Sequence, residues 1–458
     1  MAGSSTEEKY NEIAKPALLE AIHTDDVVRF REEFLALHPY DQASFFSDIE
    51  DEDRRKVYLY LSPAEMAELF ENIGLEKDQV QVYVSEMDPT YAADMFANMY
   101  ADDAVDVLNE LEKDQVTRFL NIMDQDAASE IKDLLHYEEY TAGSIMTTEY
   151  ISIAANQTVR SAMYILKSEA PTAETIYYVY VVDEDEKLVG VISLRDLIIS
   201  DDDTMISDIM YDRIVSVKVT EDQEQVARMM KDYDFLALPV VDDAVRLVGI
   251  ITVDDIIDVL EEEASDDYSK LAAVTDMDQL DMTPFSAAKK RLPWLVILLF
   301  LGMMTASLIG VFEETLEQVA ILAIFIPLIA GMAGNSGTQA LAVAVRGIAT
   351  GEVQKESVKK LIYREAGTGL ITGISCGIIV MVLVSIWHNN VYLGILVGAS
   401  IMGALFVATL AGSFVPLIMH RYKIDPAVAS GPFITTINDL ISILIYFGLA
   451  TVFMNHLL

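Results

Sequence analysis

The sequence predicts a multidomain membrane protein: an α-helical superhelical N-terminal domain, an α/β domain built from a tandem repeat, and an all-α transmembrane domain with five helices. The first observation behind this prediction is the uneven charge. Residues 284–458 hold only 8 of the 73 acidic and 10 of the 31 basic residues, so residues 1–283 carry a net charge of −44 and the rest +2. The second observation is that long apolar stretches occur only after residue 283. A chain with 52% hydrophobic residues and a net charge of −42 therefore combines an acidic soluble region with a membrane domain.

The N-terminal domain, residues 1–136, carries a repeated helix-start signal. His38-Pro39, Ser62-Pro63 and Asp88-Pro89 each place proline directly after a capping residue, and proline is favoured at the first helical position. We expect a stack of short helical hairpins, with an ordinary irregular helical domain as the alternative. The first ten residues are polar and acidic and lack a signal-peptide core, so we expect residues 1–283 to stay in the cytosol.

Residues 137–263 contain an internal repeat. The segments 181–183 and 188–193, Val-Val-Asp and Leu-Val-Gly-Val-Ile-Ser, recur 59 residues later as Val-Val-Asp and Leu-Val-Gly-Ile-Ile-Thr. A strand, a turn, a second strand and then a helix, twice over, predict an α/β tandem repeat.

The repeat resembles a pair of CBS modules, which in many proteins bind adenine nucleotides. The matching motifs are Ser193-Leu194-Arg195-Asp196 and Thr252-Val253-Asp254-Asp255, where the family uses a hydroxyl and an aspartate three residues later to hold a ribose. The resemblance implies an ATP-binding cleft lined by Tyr178, Arg195, Asp196 and Phe235. The alternative is a CBS pair that binds no nucleotide and only dimerises.

An acidic helix is predicted to lead from the repeat into the connecting segment, residues 264–290. Residues 254–267 hold eight acids and no base. Apolar residues at helical spacing on the same segment are expected to form a buried stripe: Ile256, Ile257, Leu260 and Ala264. Because the acids share the remaining face, they repel one another unless a cation neutralises them. Oxygen donors without His or Cys favour Mg²⁺ or Ca²⁺. The alternative is a solvated or halophile-like acidic surface.

The transmembrane domain, residues 291–458, contains five apolar stretches long enough to cross a bilayer. They are Leu292–Phe312, Val319–Asn335, Ala366–Trp387, Val391–Ile418 and Ala429–Phe453. All ten basic residues lie before the first span or in the loops after the second and fourth, which places these segments in the cytoplasm. Five crossings of the plasma membrane then place the N-terminus in the cytoplasm and the C-terminus outside.

Two polar features lie at membrane depth. The second span is expected to end in the small polar run 331–339, which is tolerated there only where it packs against protein or lines water. Asp439 lies inside the fifth span, and a carboxylate at that depth indicates function. Because no Lys or Arg lies within any span, a cation is its natural counter-charge. The alternative is a buried, hydrogen-bonded or protonated packing residue.

The order of these features resembles the MgtE family of magnesium channels and transporters. The signature comprises Pro327, residues 334–339, Asp425-Pro426, Ser430-Gly431-Pro432, Asn438-Asp439 and Tyr446-Phe447-Gly448. The resemblance implies a homodimer whose pore lies on the twofold axis between the second and fifth spans, with Asp439 contributed by both chains. It also implies that cytosolic Mg²⁺ bridges the soluble domains and closes the pore. By position, the acids of that sensor are Asp102, Glu224, Asp234, Asp255, Asp258, Glu263, Asp266, Asp267 and Asp425.

We therefore expect a Mg²⁺-selective, channel-like transporter for magnesium uptake that cytosolic Mg²⁺ closes. The alternative is a secondary transporter that is proton-coupled or carries a broader set of divalent cations, such as Mn²⁺ and Co²⁺. The six His residues are scattered and no P-loop or CxxC pattern occurs, which argues against an enzyme. The strongly acidic soluble region argues against a nucleic-acid partner.

Overall fold

The computed structural model describes residues 14–73, 77–274, 283–351, 353, 355–425 and 431–457. Pro426 and Ser430 of the signature, Ala429 at the start of the predicted fifth span, and residues 275–282 of the predicted connecting segment lie outside these ranges. The chain divides into two compact units, Met1–Leu260 and Glu261–Leu458.

The first unit begins with ten helices in the described part of residues 14–134. They are α1 (Lys15–His23), α2 (Val27–Phe34), α3 (Pro39–Asp48), α4 (Asp51–Tyr60), α5 (Pro63–Glu71), α6 (Lys77–Glu86), α7 (Pro89–Phe96), α8 (Ala101–Asn109), α9 (Lys113–Ile122) and α10 (Gln125–Leu134). The three proline signals start α3, α5 and α7, with His38, Ser62 and Asp88 as the capping residues. Helices two places apart pack together, as α3 with α5, α5 with α7, α7 with α9 and α8 with α10. The predicted helical N-terminal domain is confirmed.

Two three-stranded sheets of the same topology follow. The first contains β1 (Ser152–Ala154), β2 (Tyr178–Val182) and β3 (Leu188–Ser193), with helices α11 (Val159–Glu169), α12 (Leu194–Ile199) and α13 (Ile206–Ile209). The second contains β4 (Val217–Lys218), β5 (Ala237–Val241) and β6 (Leu247–Thr252), with α14 (Gln223–Tyr233). In each sheet the middle strand is parallel to the first and antiparallel to the third. Even the register shift recurs, at Val181/Val182 and at Val240/Val241, which confirms the tandem repeat.

One hydrophobic core joins the helical domain to the second repeat. Phe96 and Leu108 of the helical domain belong to the same buried cluster as Val226, Leu238 and Ile256. The first repeat has its own core around β2 and α11. The shared core fixes the start of α8 relative to α15 (Val253–Leu271), which follows β6 without a break.

The described residues of the second unit include five helices long and apolar enough to cross a membrane. Its elements are α16 (Pro284–Val311), α17 (Glu313–Gln318), a 3₁₀ helix (Ala320–Phe325), α18 (Ile326–Ala349), α19 (Lys355–Trp387), α20 (Val391–Arg421) and α21 (Gly431–Leu457). Helix α20 lies at the centre and packs on α18, α19 and α21. A Cβ at Gly377 or Gly398 would lie 2.6 Å from the other residue's carbonyl oxygen, so α19 and α20 approach closely because both are glycines.

The second span differs from its expected course. The polar run 331–339 does not end the helix, because α18 continues through it to Ala349. The Thr338 hydroxyl donates to Gly334 O one turn earlier, at 2.9 Å. The Ser336 hydroxyl is hydrogen-bonded to that of Thr409 on α20 at 2.7 Å. These hydroxyls are hydrogen-bonded while the backbone of the helix stays continuous. The small side chains of this segment also allow neighbouring helices to approach closely.

Candidate functional site

Acidic side chains of the first unit meet where the helical domain joins the second repeat. Helix α8 begins at Ala101, so Asp102 and Asp103 lie in its first turn, where the helix dipole favours negative charge. Asp255 lies in the first turn of α15. We call these residues and their acidic neighbours the junction carboxylates: Glu71, Asp102, Asp103, Glu149, Glu174, Asp254 and Asp255.

Two junction carboxylates are hydrogen-bonded to the backbone at the start of α8. Glu149 accepts from Ala101 N at 3.1 Å, and Glu71 accepts from Tyr100 N at 3.2 Å. The other carboxylate oxygen of Glu149 accepts from the Thr147 hydroxyl at 2.6 Å. Because Thr147 pairs with β6, Glu149 ties the start of α8 to the second repeat.

Burial and mutual repulsion raise the pKa values of this group. Burial first, and then the charge of Asp255, raise the pKa of Asp102 well above its ordinary value. Burial and then the charge of Glu71 raise the pKa of Asp103 to about 8. Burial and then the charge of Asp255 raise the pKa of Glu174 to about 8, and burial raises that of Asp255 itself to about 6. The folded arrangement therefore disfavours a fully charged group unless a cation is bound.

The junction carboxylates fit a hard cation. Asp102 Oδ1 and Glu174 Oε2 are buried and have no hydrogen-bond partner among the described residues. A buried acceptor without a donor is costly, so each oxygen needs a proton or a cation. Within the described ranges, no three Asp, Glu, His or Cys side chains are placed to hold a metal ion. An ion that keeps several of its waters, as Mg²⁺ does, matches these two features.

The structure brings some of the predicted sensor acids together and separates others. Asp102 and Asp255 lie together among the junction carboxylates. The charge of Asp258, one turn later on α15, adds to the rise in the pKa of Asp255. Glu224 instead forms an ion pair with Arg228 on α14. Asp234 ends α14 in the left-handed conformation, with φ 54°.

The remaining predicted acids belong to the second unit. Glu263, Asp266 and Asp267 lie on the last turns of α15. Asp425 follows α20, and its carboxylate shares Lys270 with that of Asp266.

Sequence analysis missed Glu71, Asp103, Glu149 and Glu174. They come from four separate segments of the chain, so no spacing in the sequence indicates that they meet. Only the packing of α8 against the second repeat places them beside Asp102 and Asp255.

The predicted nucleotide cleft has an ordered turn at its centre. The Ser193 hydroxyl donates to Asp196 Oδ2 at 2.6 Å, and Asp196 N donates to Ser193 Oγ at 3.1 Å. Tyr178 lies opposite Ser193 across the β2–β3 pair. Arg195 is exposed on α12, where its guanidinium is accessible to a phosphate. Phe235 stacks on Tyr233 before β5, with ring centroids 5.3 Å apart.

The second copy of this turn has a different environment. The Thr252 hydroxyl donates to Asp255 Oδ2 at 2.5 Å, as the first copy would suggest. Asp255, however, is one of the junction carboxylates, whose negative charge would repel a phosphate. The two copies of the turn therefore differ in their electrostatic surroundings.

Asp439 lies on α21, and its side chain is partly exposed in the single chain. Thr435 precedes it by one turn on the same face of the helix. The Thr435 hydroxyl lies 3.4 Å from that of Thr338 on α18. A row of oxygen-bearing side chains from α18 and α21 therefore leads to the carboxylate.

Asn438, next to Asp439, is buried between α18 and α20. A Cβ at Gly337 would lie 1.9 Å from Asn438 Nδ2 and 3.3 Å from Ala408 O, so the amide occupies the space that only glycine leaves. Neither polar atom of the amide has a hydrogen-bond partner among the described residues. Three helices thus pack tightly around a polar side chain at the level of Asp439.

Four segments of the chain match three known protein families. Residues 37–140 match the MgtE intracellular N domain, and residues 142–201 and 206–262 match the CBS domain. Residues 326–449 match MgtE, described as a divalent cation transporter.

Individual proteins are similar over most of the chain or over its soluble region. The chain is 52% identical over 439 residues to the magnesium transporter MgtE of Enterococcus faecalis, covering 96% of this chain and 97% of that protein. It is 40% identical over 429 residues to the magnesium transporter MgtE of Bacillus subtilis, covering 93% and 94%. A crystal structure of the cytosolic domain of the Mg²⁺ channel MgtE in complex with ATP covers 54% of this chain and 99% of its own, with 38% identity and a TM-score of 0.51.

Proposed function

Because the chain belongs to the MgtE family of magnesium transporters, we propose that it takes up Mg²⁺ through a channel-like pathway that contains Asp439 and closes when cytosolic Mg²⁺ binds the acidic soluble region. Membership makes the chain a multi-pass membrane transporter and not an enzyme. The observation that carries the proposal is the carboxylate of Asp439, within a helix that is long and apolar enough to span a membrane.

Asp439 is the group that selects the ion. Mg²⁺ loses its waters reluctantly and prefers octahedral oxygen coordination, so a carboxylate can hold the hydrated ion through its water shell. Selection by charge and size then does not slow the exit of the ion. The hydroxyls of Thr338 and Thr435 line the approach to the carboxylate and can hydrogen-bond to the same waters.

The pathway requires two copies of the chain. Asp439 is partly exposed in the single chain, although it lies within a membrane-spanning helix. None of the most apolar window of α16 is buried, whereas 61% of that of α20 is. A homodimer would bring two Asp439 carboxylates together and give α16 a protein neighbour, and we propose that assembly.

The membrane potential drives the uptake. We place residues 1–283 in the cytoplasm of a cell bounded by the plasma membrane and the C-terminus outside, because all ten basic residues of residues 284–458 lie on one side. A divalent cation that moves inward then gains about 4.6 kcal/mol per 100 mV. No coupled reaction is needed.

The junction carboxylates are the main element of the gate. With Mg²⁺ bound, their charges are neutralised and α8 stays packed beside α15. Without Mg²⁺ the buried carboxylates must bind protons or move apart, so the soluble region favours a looser state. The unpartnered oxygens of Asp102 and Glu174 support a cation at this position. The other sensor acids, Glu224, Asp234, Asp258, Glu263, Asp266, Asp267 and Asp425, supply further sites in this proposal.

We also propose that ATP binds the first CBS turn. The Ser193–Asp196 hydrogen bond presents a carboxylate to a ribose, and Tyr178, Arg195 and Phe235 supply aromatic and cationic groups. The similar cytosolic domain with ATP bound supports this assignment. The second turn takes no nucleotide, because Asp255 belongs to the junction carboxylates.

The test is Mg²⁺ flux into proteoliposomes. Asp439→Asn preserves the shape of the side chain and removes its charge, so we expect most Mg²⁺ flux or selectivity to be lost. Glu317→Gln, on the exposed helix α17, is the matched control and should transport normally. Unchanged Mg²⁺ flux in Asp439→Asn would exclude Asp439 from the pathway.

The same vesicles distinguish the alternative, a proton-coupled or broader divalent-cation transporter. A channel-like pathway follows an imposed membrane potential and ignores a pH gradient, whereas a coupled transporter responds to the gradient. Competition by Mn²⁺ and Co²⁺ measures selectivity. Raising Mg²⁺ on the side of the soluble region should reduce flux if the gate works as proposed.

A further inference from the structure

A single lysine lies in the last turn of the acidic helix. Lys270 is the only basic residue between Arg246 and Lys289. Its ammonium forms an ion pair with Asp266, one turn earlier on α15. It also donates to Asp425 Oδ2, which follows α20, at 2.5 Å. One lysine therefore joins two distant acids of the second unit.

The contact is partly shielded from water. About a third of the Lys270 side chain is exposed (34%), as is 36% of that of Asp425. Burial would lower the pKa of Lys270, but the hydrogen bonds that its ammonium donates to Asp266 and Asp425 outweigh burial, and the pKa is raised. The lysine is therefore a permanent cation at neutral pH.

The next residue holds the end of α15 against the membrane helices. Leu271 packs on the cluster formed by Leu341, Val345 and Ile434. A Cβ at Gly431 would lie 3.5 Å from Leu271 O, so the end of α15 touches the first turn of α21. The ion pair and this apolar contact hold the last turn of α15 beside the ends of α18, α20 and α21.

We propose that Lys270 sets the concentration at which Mg²⁺ acts on the transporter, by competing with it for Asp266 and Asp425. This inference rests on the proposed function, in which both carboxylates belong to the Mg²⁺ sensor. The Lys270 ammonium offsets one of the two carboxylate charges. Its removal leaves one more negative charge for a divalent ion to neutralise. A bound Mg²⁺ must therefore displace the ammonium, and each displacement weakens its apparent affinity.

Competition with Mg²⁺ and simple anchoring of α15 predict opposite effects of removing Lys270. A lysine that only holds α15 in place helps Mg²⁺ to close the pathway, so its loss would raise the Mg²⁺ concentration needed. A lysine that competes with Mg²⁺ hinders it, so its loss lowers that concentration. Without Mg²⁺, Lys270 bridges the two acids, and its loss should increase flux.

The test compares Lys270→Met, which keeps the aliphatic stem, with Lys270→Arg, which keeps the charge. Lys231→Met is the matched control because Lys231 is an exposed lysine in the last turn of another helix, α14. Mg²⁺ flux into proteoliposomes is measured as Mg²⁺ is raised on the side of the soluble region. Should Lys270→Met not yield a monodisperse protein, Lys270→Gln carries the same test.

We expect Lys270→Met to lower the half-inhibiting Mg²⁺ concentration roughly fivefold, the scale of a partly exposed ion pair, and to raise the flux without Mg²⁺. Lys270→Arg and Lys231→Met should stay close to wild type. A half-inhibiting concentration that is unchanged or higher in Lys270→Met overturns the inference.

A second readout separates this inference from the gating proposal. Calorimetric titration of the full-length protein with MgCl₂ should show tighter binding in Lys270→Met than in wild type. If wild-type flux ignores Mg²⁺ while the binding shift appears, the gating proposal fails and the competition stands. If wild-type flux responds to Mg²⁺ but neither flux nor binding shifts in the variant, the competition alone fails.

Discussion

Replacing Asp102 by asparagine removes one charge from the centre of the junction carboxylates. Asp102 is buried, its Oδ1 has no hydrogen-bond partner among the described residues, and burial and then Asp255 raise its pKa well above the ordinary value. Asparagine has nearly the same shape and no charge. The variant should therefore be more stable than wild type without Mg²⁺ and should gain less stability when Mg²⁺ is added.

The size of both effects follows from general energetics. The side-chain NH₂ of asparagine can donate to a neighbouring carboxylate, and a hydrogen bond to a charged group contributes about 1.5–3 kcal/mol, so in chelator the melting temperature should rise by roughly 3–12 °C for a unit of this size. Mg²⁺ at 100 times its dissociation constant stabilises the folded state by about 2.7 kcal/mol. Tenfold weaker binding in Asp102→Asn would reduce that gain to about 1.4 kcal/mol.

Thermal unfolding of the fragment 1–283, with MgCl₂ or with chelator at matched ionic strength, measures both quantities. Asp114→Asn is the matched control, because Asp114 also lies in the first turn of a helix, α9, but is exposed. The control should behave as wild type under both conditions. A loss of stability in chelator for Asp102→Asn, together with an unchanged gain from Mg²⁺, would refute a cation site at these carboxylates.

Three further predictions concern pH, nucleotide and helix packing. Since burial and neighbouring acids raise the pKa values of Asp103 and Glu174 to about 8, these groups bind protons on folding, so stability in chelator should fall as pH rises from about 5 through about 8. Melting temperatures across that range check this, and a rise with pH contradicts it; Mg²⁺ should flatten the dependence. Asp196→Ala should weaken ATP binding to the fragment 1–283 measured by calorimetry, and wild-type protein that shows no heat with millimolar ATP would reject the site. Gly412→Ala would place a Cβ 2.2 Å from a backbone carbonyl oxygen of α18, whereas a Cβ at Gly331 meets nothing within 4 Å. Gly412→Ala should therefore cost about 1–3 kcal/mol or more in a detergent unfolding assay, and equal stability of the two alanine variants would contradict the packing described.

Much of the candidate site could be predicted from single residues. Asp439 stands out because a carboxylate within an apolar membrane helix is rare and indicates function. The Ser193–Asp196 and Thr252–Asp255 motifs were recognised by their resemblance to the CBS family, and in both the hydroxyl donates to the carboxylate three residues later. Residues three positions apart in the chain remain close together in the structure, because the backbone fixes the distance between them.

Other features required contacts between distant segments. The polar run 331–339 was expected to end a helix, but hydroxyl bonds to Gly334 O and to Thr409 let it continue. Nothing in the sequence indicates that Lys270 pairs with Asp425, because the two residues are 155 positions apart in the chain.

The sequence by itself determined the division into an acidic soluble region and a membrane domain, the tandem repeat and the number of membrane-spanning helices, because charge, hydropathy and periodicity are properties of contiguous segments. Only the tertiary structure decided which acids share one environment. Asp102 and Asp255 meet because a common hydrophobic core joins the helical domain to the second repeat, and the same packing adds Glu71, Glu149 and Glu174 to them. Desolvation and charge repulsion depend on distances through space, and these are not encoded in the spacing of the acids along the chain.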